Sequence, residues 1–534
     1  MRLVFVALIR FRKYFYEIRA ERTIMFGRVY TSAIAGIDGR EVVAEADFGD
    51  GLPSFEMVGD LGNEVKEARE RVRAALKNVG IVVPPGKLTV NLSPAHLKKS
   101  GNSFDLPIAV AVMVAIGVIP QAYVEDISFI GELALDGGLR PVNGTLSHVL
   151  CARDGGRKCA VIPKGNAREG AVIRDISVFG FQNLTEVMTF LLDRNTAAPE
   201  ACRDLSPLEN LSGGLDFSEI RGQESVKRAA MVAAAGMHGM LMVGPPGTGK
   251  TLTAKRIPTI LPPLSQFEQI ECSKIHSVAG TLDPEEGLIR IRPFRSPHHT
   301  VSANGLAGGG AFPRPGEMSL AHNGVLFLDE LPEFSKMTLE AMRQPLEDKK
   351  VTISRVNGTY TFPTRMMLVC AMNPCRCGYY PDRNKCHCSE GEVRKYLSRI
   401  SKPLLDRIDI LAEVPRVPVK ELSETTGGTD SETLRKCVIR AWEIQKERYQ
   451  SCGILFNSQL EGAAIRKYCV IGKAENELLK EVFDKMDLSA RAHDRIIKVS
   501  RTIADLEESE RITTQHLSEA IGYRSLDRKL FGGL

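Results

Sequence analysis

The sequence is poor in aromatic residues and contains no long hydrophobic run. Only 6% of its 534 residues are Phe, Trp or Tyr, and a single one of them is Trp. No apolar stretch reaches the roughly 18 residues that a membrane-spanning helix needs, which argues against a function inside a membrane. Positive and negative charges nearly balance, and the net charge is only +5. The molecule as a whole is therefore not a strong binder of polyanions, and any nucleic-acid site has to be local.

The amino terminus lacks the features of an export signal. In residues 1–24 the basic residues mainly follow the apolar stretch, and no small-residue cleavage site comes after it. We expect this segment to be an N-terminal extension or an upstream start. The twelve cysteines are mostly scattered, which without an export signal predicts reduced thiols and a cytoplasmic protein. The length predicts about two to four domains.

What the sequence does contain is a complete phosphate-binding pattern, G-x-x-x-x-G-K-[ST]. Its residues are Gly244, Pro245, Pro246, Gly247, Thr248, Gly249, Lys250 and Thr251. Glycines here let backbone N–H groups turn towards phosphates, Lys250 adds positive charge, and the Thr251 hydroxyl is suited to Mg²⁺. The apolar residues 239–243 before the pattern and a helix-compatible segment after it provide the expected context. We therefore expect binding of ATP and Mg²⁺.

A second apolar run, residues 324–328, ends in two carboxylates, Asp329 and Glu330. Asp329 is suited to holding Mg²⁺, and Glu330 to polarising the water that attacks the γ-phosphate. A buried strand that runs into an acidic turn has the same appearance in isolation. Beside a phosphate-binding loop, the pair predicts ATP hydrolysis as well as binding.

Three long segments, residues 292–300, 315–324 and 403–409, resemble the magnesium-chelatase-like AAA+ ATPases of the bacterial YifB/ComM family. The resemblance implies that Asn373 is sensor 1, which orients the attacking water. It further implies that Arg407 is an arginine finger acting on a neighbouring subunit and that Arg491 is the sensor 2 arginine. A finger that acts on a neighbour implies a homo-oligomeric ring, which we expect to be a hexamer.

Residues 25–193 have alternating strands and a helical segment at 63–78, which predicts a separate α/β domain. This part resembles the Lon-protease-like domain of the same family. Ser103 falls at the position of the protease nucleophile, and Lys98 and Lys99 precede it in a different segment. His148 stands where the partner lysine is expected, so we predict no peptidase activity.

The predicted fold class is α/β, and we expect the domains in the same order as in the resembling family. An N-terminal Lon-protease-like α/β domain is followed by a linker at residues 194–214. A P-loop AAA+ core with a parallel sheet follows at residues 215–417, and a helical lid at residues 418–534.

One group of cysteines is not scattered. Cys375, Cys377, Cys386 and Cys388 form two C-x-C pairs in one loop, with His387 as a spare ligand. Four such thiolates can bind one structural Zn²⁺ and order a loop with little apolar content. A redox pair and unliganded thiols also fit this spacing.

The stretch between the two ATPase motifs is longer than a minimal core requires, which indicates an insert at residues 282–315. In the resembling family this is the helix 2 insert, which points into the pore of related ring helicases. Its glycine-rich part, residues 304–310, is predicted to be either flexible or closely packed. The adjacent His298 and His299 lack an obvious third ligand, which favours polar contacts over a metal.

Residues 350–362 alternate on both sides of Asn357-Gly358, a pattern typical of a β-hairpin. Lys349, Lys350 and Arg355 are candidate phosphate contacts, and Tyr360 is suited to stacking on bases, although a solvated hairpin is the alternative. With the resemblance, this predicts an ATP-driven ring motor on branched or single-stranded DNA. A branch-migration helicase in recombination or transformation is the favoured function. The alternatives are a chelatase-type subunit for metal insertion or protein remodelling, and an interaction scaffold.

Overall fold

A computed structural model describes residues 25–202, 206, 214–310, 313–355, 358–417, 428–450, 452–486 and 490–531. The predicted N-terminal extension and residues 203–205 and 207–213 of the predicted linker lie outside these residues, as do Asn357 of the predicted turn and the start of the predicted lid. The chain divides into two compact units. Within the described residues, the first contains 25–202 together with Ser273–Leu288, Arg355 and Gly358, and the second contains the remainder.

The first unit is built on a seven-stranded sheet in the order β3-β4-β2-β1-β5-β8-β9. Strand β2 is antiparallel to β1 and β4, and the outer pairs β3/β4, β1/β5, β5/β8 and β8/β9 are parallel. Strands β6 and β7 form a separate short ladder. The strands are β1 (Met25–Ala35), β2 (Asp38–Gly49), β3 (Ser54–Val58), β4 (Lys87–Ser93), β5 (Ile127–Phe129), β6 (Glu132–Leu133), β7 (Leu139–Arg140), β8 (Cys159–Pro163) and β9 (Ser177–Phe181).

Five helices accompany this sheet. They are α1 (Asn63–Asn78), α2 (Asp105–Ala115), α3 (Thr145–Asp154), α4 (Ala167–Gly170) and α5 (Leu184–Leu192). Helix α1 begins and ends where the sequence predicts it, and its buried residues recur at helical spacing, whereas every residue of α2 is buried. The buried carboxylate of Asp105 is paired with Arg71 of α1 at 2.7 Å, which joins the two helices.

The second unit contains a five-stranded sheet in the order β11-β14-β17-β10-β18. All four neighbouring pairs are parallel, and β10, β14 and β17 are fully buried, as expected for a parallel sheet that is covered on both faces. Its strands, with those of two small ladders, are β10 (Met240–Val243), β11 (Phe294–Arg295), β12 (Gly308–Gly309), β13 (Arg314–Pro315), β14 (Val325–Leu328), β15 (Lys350–Arg355), β16 (Gly358–Pro363), β17 (Met367–Met372) and β18 (Ile410–Glu413).

The sequence interpretation of the insert needs one correction. Phe294 and Arg295 fall inside the predicted insert, but they form β11 and pair with Val325 and Leu326 of the core sheet. The glycine-rich stretch is closely packed around the β12/β13 ladder. A Cβ at Gly308 would lie 2.6 Å from the Arg314 carbonyl oxygen, so the second of the two predicted alternatives applies.

The helices that follow are α6 (Glu224–Gly236), α7 (Lys250–Ile260), α8 (Gln266–Ala279), α9 (Ala303–Ala307), α10 (Glu317–Leu320), α11 (Lys336–Ala341), α12 (Arg343–Asp348), α13 (Glu390–Leu397) and α14 (Lys402–Leu405). The carboxyl-terminal region is helical, with α15 (Ser431–Tyr449), α16 (Ala463–Tyr468), α17 (Lys473–Met486), α18 (Ala490–Leu506) and α19 (Thr514–Gly522). This confirms the predicted α/β class with a helical end. Within the described ranges, no helix has both the length and the apolar character needed to cross a bilayer.

Candidate ATP-binding site and cysteine cluster

The predicted phosphate loop joins β10 to α7, at the carboxyl edge of the parallel sheet, where ligands of such sheets bind. Gly247 and Gly249 adopt φ values of +76° and +85°, which other residues rarely adopt. A Cβ at either position would meet no atom within 4 Å. The two glycines are therefore required by the backbone conformation, and the space beside them is open, as a phosphate group requires.

Lys250 lies across this loop and is mostly buried. Its ammonium donates to the carbonyl oxygens of Gly244 and Pro245, both at 2.8 Å, and to Asn373 Oδ1 at 3.1 Å. Burial lowers the pKa of Lys250, although the nearby charge of Asp329 acts in the opposite direction. The fold thus brings the predicted sensor residue Asn373, at the end of β17, next to the lysine of the phosphate loop.

The two predicted magnesium ligands are also adjacent. The Thr251 hydroxyl donates to Asp329 Oδ2 at 2.6 Å. A hydroxyl and a carboxylate are oxygen ligands of the kind that Mg²⁺ prefers, so these residues fit the role. Glu330 follows in a left-handed conformation, with φ of +51°, and its backbone N–H donates to Asp329 Oδ1 at 2.9 Å.

The sequence interpretation named His299 but did not place it at this site. Its Nδ1 lies 3.7 Å from Glu330 Oε2, and its ring packs against that of His298, with centroids 4.0 Å apart. The histidines therefore make polar and ring contacts at this site. The sequence contained one signal that could have placed these histidines near the ATP site, because both lie in residues 292–300, one of the segments that resemble the family.

Arg407 does not lie at the phosphate loop of its own chain. Ile410 of β18 is opposite Met240 of β10, so Arg407 is at the amino edge of the sheet, whereas the loop is at the carboxyl edge. A strand of this length separates the edges by about 13 Å. Its guanidinium donates to the Pro403 carbonyl at 2.6 Å and pairs with Glu347, with only 11% of the side chain exposed.

Asp409, two residues after Arg407, is a residue that the sequence interpretation missed. Its carboxylate lies 2.8 Å from His238 Nδ1 and 3.4 Å from Arg495 Nε of α18. Burial raises the pKa of Asp409, but the bond with His238 and the nearby positive charges hold it well below its usual range. Arg491, one turn before Arg495, is exposed. Asp409 thus connects the sheet to the helix that carries the predicted sensor 2.

The predicted hairpin is present as the two-stranded β15/β16 sheet. Lys350 and Arg355 are exposed and Tyr360 is partly buried. Lys349 requires a correction, because it precedes the strand in a left-handed conformation and donates to the Leu346 carbonyl at 2.6 Å. Burial lowers the pKa of Lys349, so this residue is less suited to contact phosphate than its two neighbours on the hairpin.

The four cysteines of the loop after β17 lie together. The Sγ atoms of Cys375, Cys377, Cys386 and Cys388 are all within 4.8 Å of one another. Cys375 and Cys386 are buried, and none of the four is in a disulfide. His387 is exposed and is not part of this group.

In the first unit, Ser103 and His148 are both buried. His148 Nδ1 lies 2.7 Å from the Ser32 hydroxyl, and burial lowers the pKa of His148 to about 4. Lys99 is fully buried, its ammonium donates to the Pro94 carbonyl, and burial lowers its pKa. The structure thus pairs His148 with Ser32, a partner that the sequence interpretation did not consider.

The parallel sheet, the phosphate loop after β10 and the adjacent Thr251–Asp329 pair define a P-loop ATPase of the AAA+ class. Three family profiles match the chain: "Magnesium chelatase, subunit ChlI" at residues 216–422, "Subunit ChlI of Mg-chelatase" at 44–166, and "Magnesium chelatase, subunit ChlI C-terminal" at 428–524.

The chain is 41% identical to YifB of Salmonella typhimurium over 503 residues, which are 94% of this chain and 97% of that protein. It is 40% identical to competence protein ComM of Haemophilus influenzae over 506 residues, 94% and 98% of the two chains. It is also 30% identical to a Lon protease of Mycolicibacterium smegmatis over 156 residues, 28% of this chain and 19% of that protein. The protein therefore belongs to the YifB/ComM family of magnesium-chelatase-like AAA+ ATPases.

Proposed function

We propose that this protein is an ATP-hydrolysing motor that works as a homo-oligomeric ring, a hexamer, in the cytoplasm. The ring remodels branched or single-stranded DNA, as a helicase that promotes branch migration in recombination or transformation. The observation that supports the proposal is the convergence of Lys250 with Asn373 and of Thr251 with Asp329 at the phosphate loop, in a chain that also carries an exposed basic hairpin with Lys350 and Arg355. The resemblance to a protein named for competence supports DNA as the substrate.

Each residue of the site has a distinct task in hydrolysis. Lys250 binds the β- and γ-phosphate oxygens once they replace the carbonyl groups to which it now donates. Thr251 and Asp329 hold Mg²⁺, which neutralises the phosphate charge when bound. Glu330 accepts the proton of the attacking water, and Asn373 orients that water.

Arg407 completes the site of a neighbouring subunit. Because this side chain lies at the amino edge of the sheet, it is suited to a second copy and not to its own nucleotide. A fixed guanidinium stabilises the charge that develops on the transferred phosphoryl group. Nucleotide hydrolysis is thereby coupled to the contact between neighbouring subunits.

The test is ATP hydrolysis with a mobile four-way DNA junction, a fork, linear duplex or no DNA, together with a fluorescence assay of strand exchange on the junction. We expect the branched substrates to stimulate hydrolysis at least several-fold and to be resolved only with hydrolysable ATP. Equal hydrolysis under all four conditions would argue against the DNA motor.

A second candidate function is a chelatase-type subunit that couples ATP hydrolysis to metal insertion or protein remodelling. The observation that favours it is the match to three magnesium chelatase profiles. In that case a protein partner, and not DNA, would stimulate hydrolysis.

Besides ATP and Mg²⁺, we propose that the protein binds one Zn²⁺ through Cys375, Cys377, Cys386 and Cys388.

A further inference from the structure

The four-cysteine loop has the dimensions of a metal site. The Sγ atom of Cys375 lies 3.3 Å from that of Cys377 and 3.8 Å from that of Cys386, and Cys377 and Cys386 are 3.6 Å apart. Four sulfurs around one tetrahedral Zn²⁺, each about 2.3 Å from it, are about 3.8 Å from one another. A disulfide would bring two of them to about 2.05 Å. The observed spacing therefore fits a shared cation.

The loop is held by local backbone hydrogen bonds, such as those from the Gly378 N–H to the Cys375 carbonyl and from the Cys386 N–H to the Asp382 carbonyl, and its cysteines pack on the core of the second unit. Most of the residues between the two C-x-C pairs are exposed, and its ion pairs, Asp382–Lys385 and Arg383–Glu390, lie on the surface, where such pairs contribute little. Backbone N–H groups also point at the sulfurs, among them that of Tyr380, which lies 3.4 Å from Cys375 Sγ. A metal held by four thiolates is a general way of adding stability to a loop of this kind.

The same loop contacts the ATP site on two sides. Asn373, which accepts from Lys250, is two residues before Cys375. Gly378, inside the cluster, packs closely against Pro246 of the phosphate loop. The approach is so close that a Cβ at Gly378 would lie 2.5 Å from Pro246 Cδ. These contacts attach the cysteine cluster to both the sensor residue and the phosphate loop.

A third contact leads to the end of the sheet. The Tyr379 hydroxyl accepts from Arg416 at 3.0 Å, and the guanidinium of Arg416 lies 4.9 Å from the Tyr379 ring centroid. Arg416 follows β18, the strand beside the phosphate-loop strand β10. The cluster is thus connected to the strands on both sides of β10, namely β17 and β18.

We propose that the cysteine loop is a Zn²⁺ site that positions the ATPase centre: the metal holds Asn373 against Lys250 and the backbone at Gly378 against Pro246. Zinc occupancy therefore sets the rate of ATP hydrolysis. The effect of zinc on the rate rests on the proposed hydrolysis of ATP, whereas the zinc site itself does not. Asn373 is the residue that acts on the water, and the cysteines are positioning residues.

The first measurement is the metal content of full-length protein purified anaerobically, by elemental analysis. We expect about one zinc per chain in the wild type and a loss of most of it in Cys388→Ser. Cys452→Ser, an exposed cysteine elsewhere, is the matched control and should keep its zinc. A wild type without stoichiometric zinc, or one that contains iron and sulfide in its place, would overturn the site. This result does not depend on whether the protein hydrolyses ATP.

The second measurement is kcat for ATP hydrolysis in a variant that keeps all four cysteines. Gly378→Ala places a methyl group against Pro246, at a residue with φ of +84°. We expect it to retain zinc and to lose at least tenfold in kcat. Gly391→Ala, for which the new methyl group would meet nothing within 4 Å, should hydrolyse ATP like the wild type. Normal kcat in zinc-loaded Gly378→Ala would refute the coupling and leave the metal site intact.

Chelation and repletion provide the third arm. Removal of zinc from the wild type should lower kcat at least tenfold, and added ZnSO₄ should restore it. Hydrolysis at the wild-type rate by zinc-free protein would contradict the coupling. A wild type that contains zinc but shows no ATPase activity would instead count against the proposed function.

Discussion

His299 faces the carboxylate of Glu330, with 3.7 Å between His299 Nδ1 and Glu330 Oε2. Glu330 is the residue suited to activate water, and its side chain is otherwise exposed, at 60%. An imidazole at this distance restricts the positions of the carboxylate before nucleotide and water arrive. The contact joins the segment after β11 to the end of β14, so two different segments of the chain meet at the carboxylate that we propose activates water.

Replacing Glu330 with Gln should leave ATP binding intact and abolish turnover. The amide keeps the size of the side chain but does not accept a proton, and loss of a general base costs about 10²–10⁴-fold in rate. Binding of a fluorescent ATP analogue and steady-state phosphate release would measure the two properties separately. Retained turnover would remove Glu330 from the mechanism.

Replacing His299 with Ala should have a smaller effect than Glu330→Gln, of up to about fivefold in kcat, because an exposed contact of this kind contributes at most about 1 kcal/mol. Glu330 itself remains in this variant. The exposed His96 provides the control, and His96→Ala should leave kcat unchanged. A His299→Ala variant with the kcat of the wild type would show that the contact does not position the carboxylate.

Arg407→Ala should form oligomers and bind ATP, yet hydrolyse it roughly 10³-fold more slowly, since an arginine finger contributes this much or more. Glu347→Ala removes the same ion pair but keeps the arginine, so it should remain active. Mixing Arg407→Ala with Glu330→Gln protein should restore part of the activity, because an intact site then receives an intact arginine from its neighbour. No recovery in any mixture would argue against action in trans.

The double variant Lys350→Ala, Arg355→Ala should bind DNA more weakly and with less dependence on salt. Each lost phosphate contact lowers the slope of log K against log salt by about 0.7–0.9. Fluorescence anisotropy with a labelled single strand at several salt concentrations would measure the slope. The exposed pair Arg466 and Lys473, replaced in the same way, is the control. An unchanged slope in the Lys350→Ala, Arg355→Ala variant would exclude the hairpin as the DNA contact.

The stability of the second unit should fall in acid, in part through Glu271. Burial raises the pKa of Glu271, but bonds with His322 and Asn323 and the charge of Arg365 lower it to about 2. A carboxylate with a depressed pKa stabilises the fold above its unfolded pKa of about 4.3 and loses this contribution as the pH falls towards 2. The contribution at neutral pH is at most about 3 kcal/mol.

Urea unfolding of the wild type and of Glu271→Gln at pH 7 and at pH 3 would check this expectation. The variant should be less stable at pH 7, and the difference should shrink at pH 3. Glu443→Gln, an exposed glutamate of α15, is the control and should unfold like the wild type at both values. An equal difference at both pH values would mean that Glu271 acts by packing and not by its charge.

Much of the ATP site could be predicted because its parts are short and local. The loop from Gly244 to Thr251 depends on backbone conformations that only nearby glycines permit, and the strands that place Asp329 and Asn373 are apolar runs of strand length. Parallel strands bring their carboxyl ends to one edge, which is why Lys250, Asp329 and Asn373 converge in the structure. The role of Asn373 was implied by the family resemblance and not by its own segment.

The sequence by itself determined the class of protein, its α/β core, the helical end and the cysteine pairs. Only the tertiary structure decided that β11 belongs to the core sheet, that His299 meets Glu330, that Asp409 joins His238 to Arg495, and that Gly378 packs on Pro246. The physical reason is distance along the chain. Local patterns record backbone preference and periodicity, whereas these contacts form between segments that are far apart in sequence and become neighbours only when the sheet is assembled.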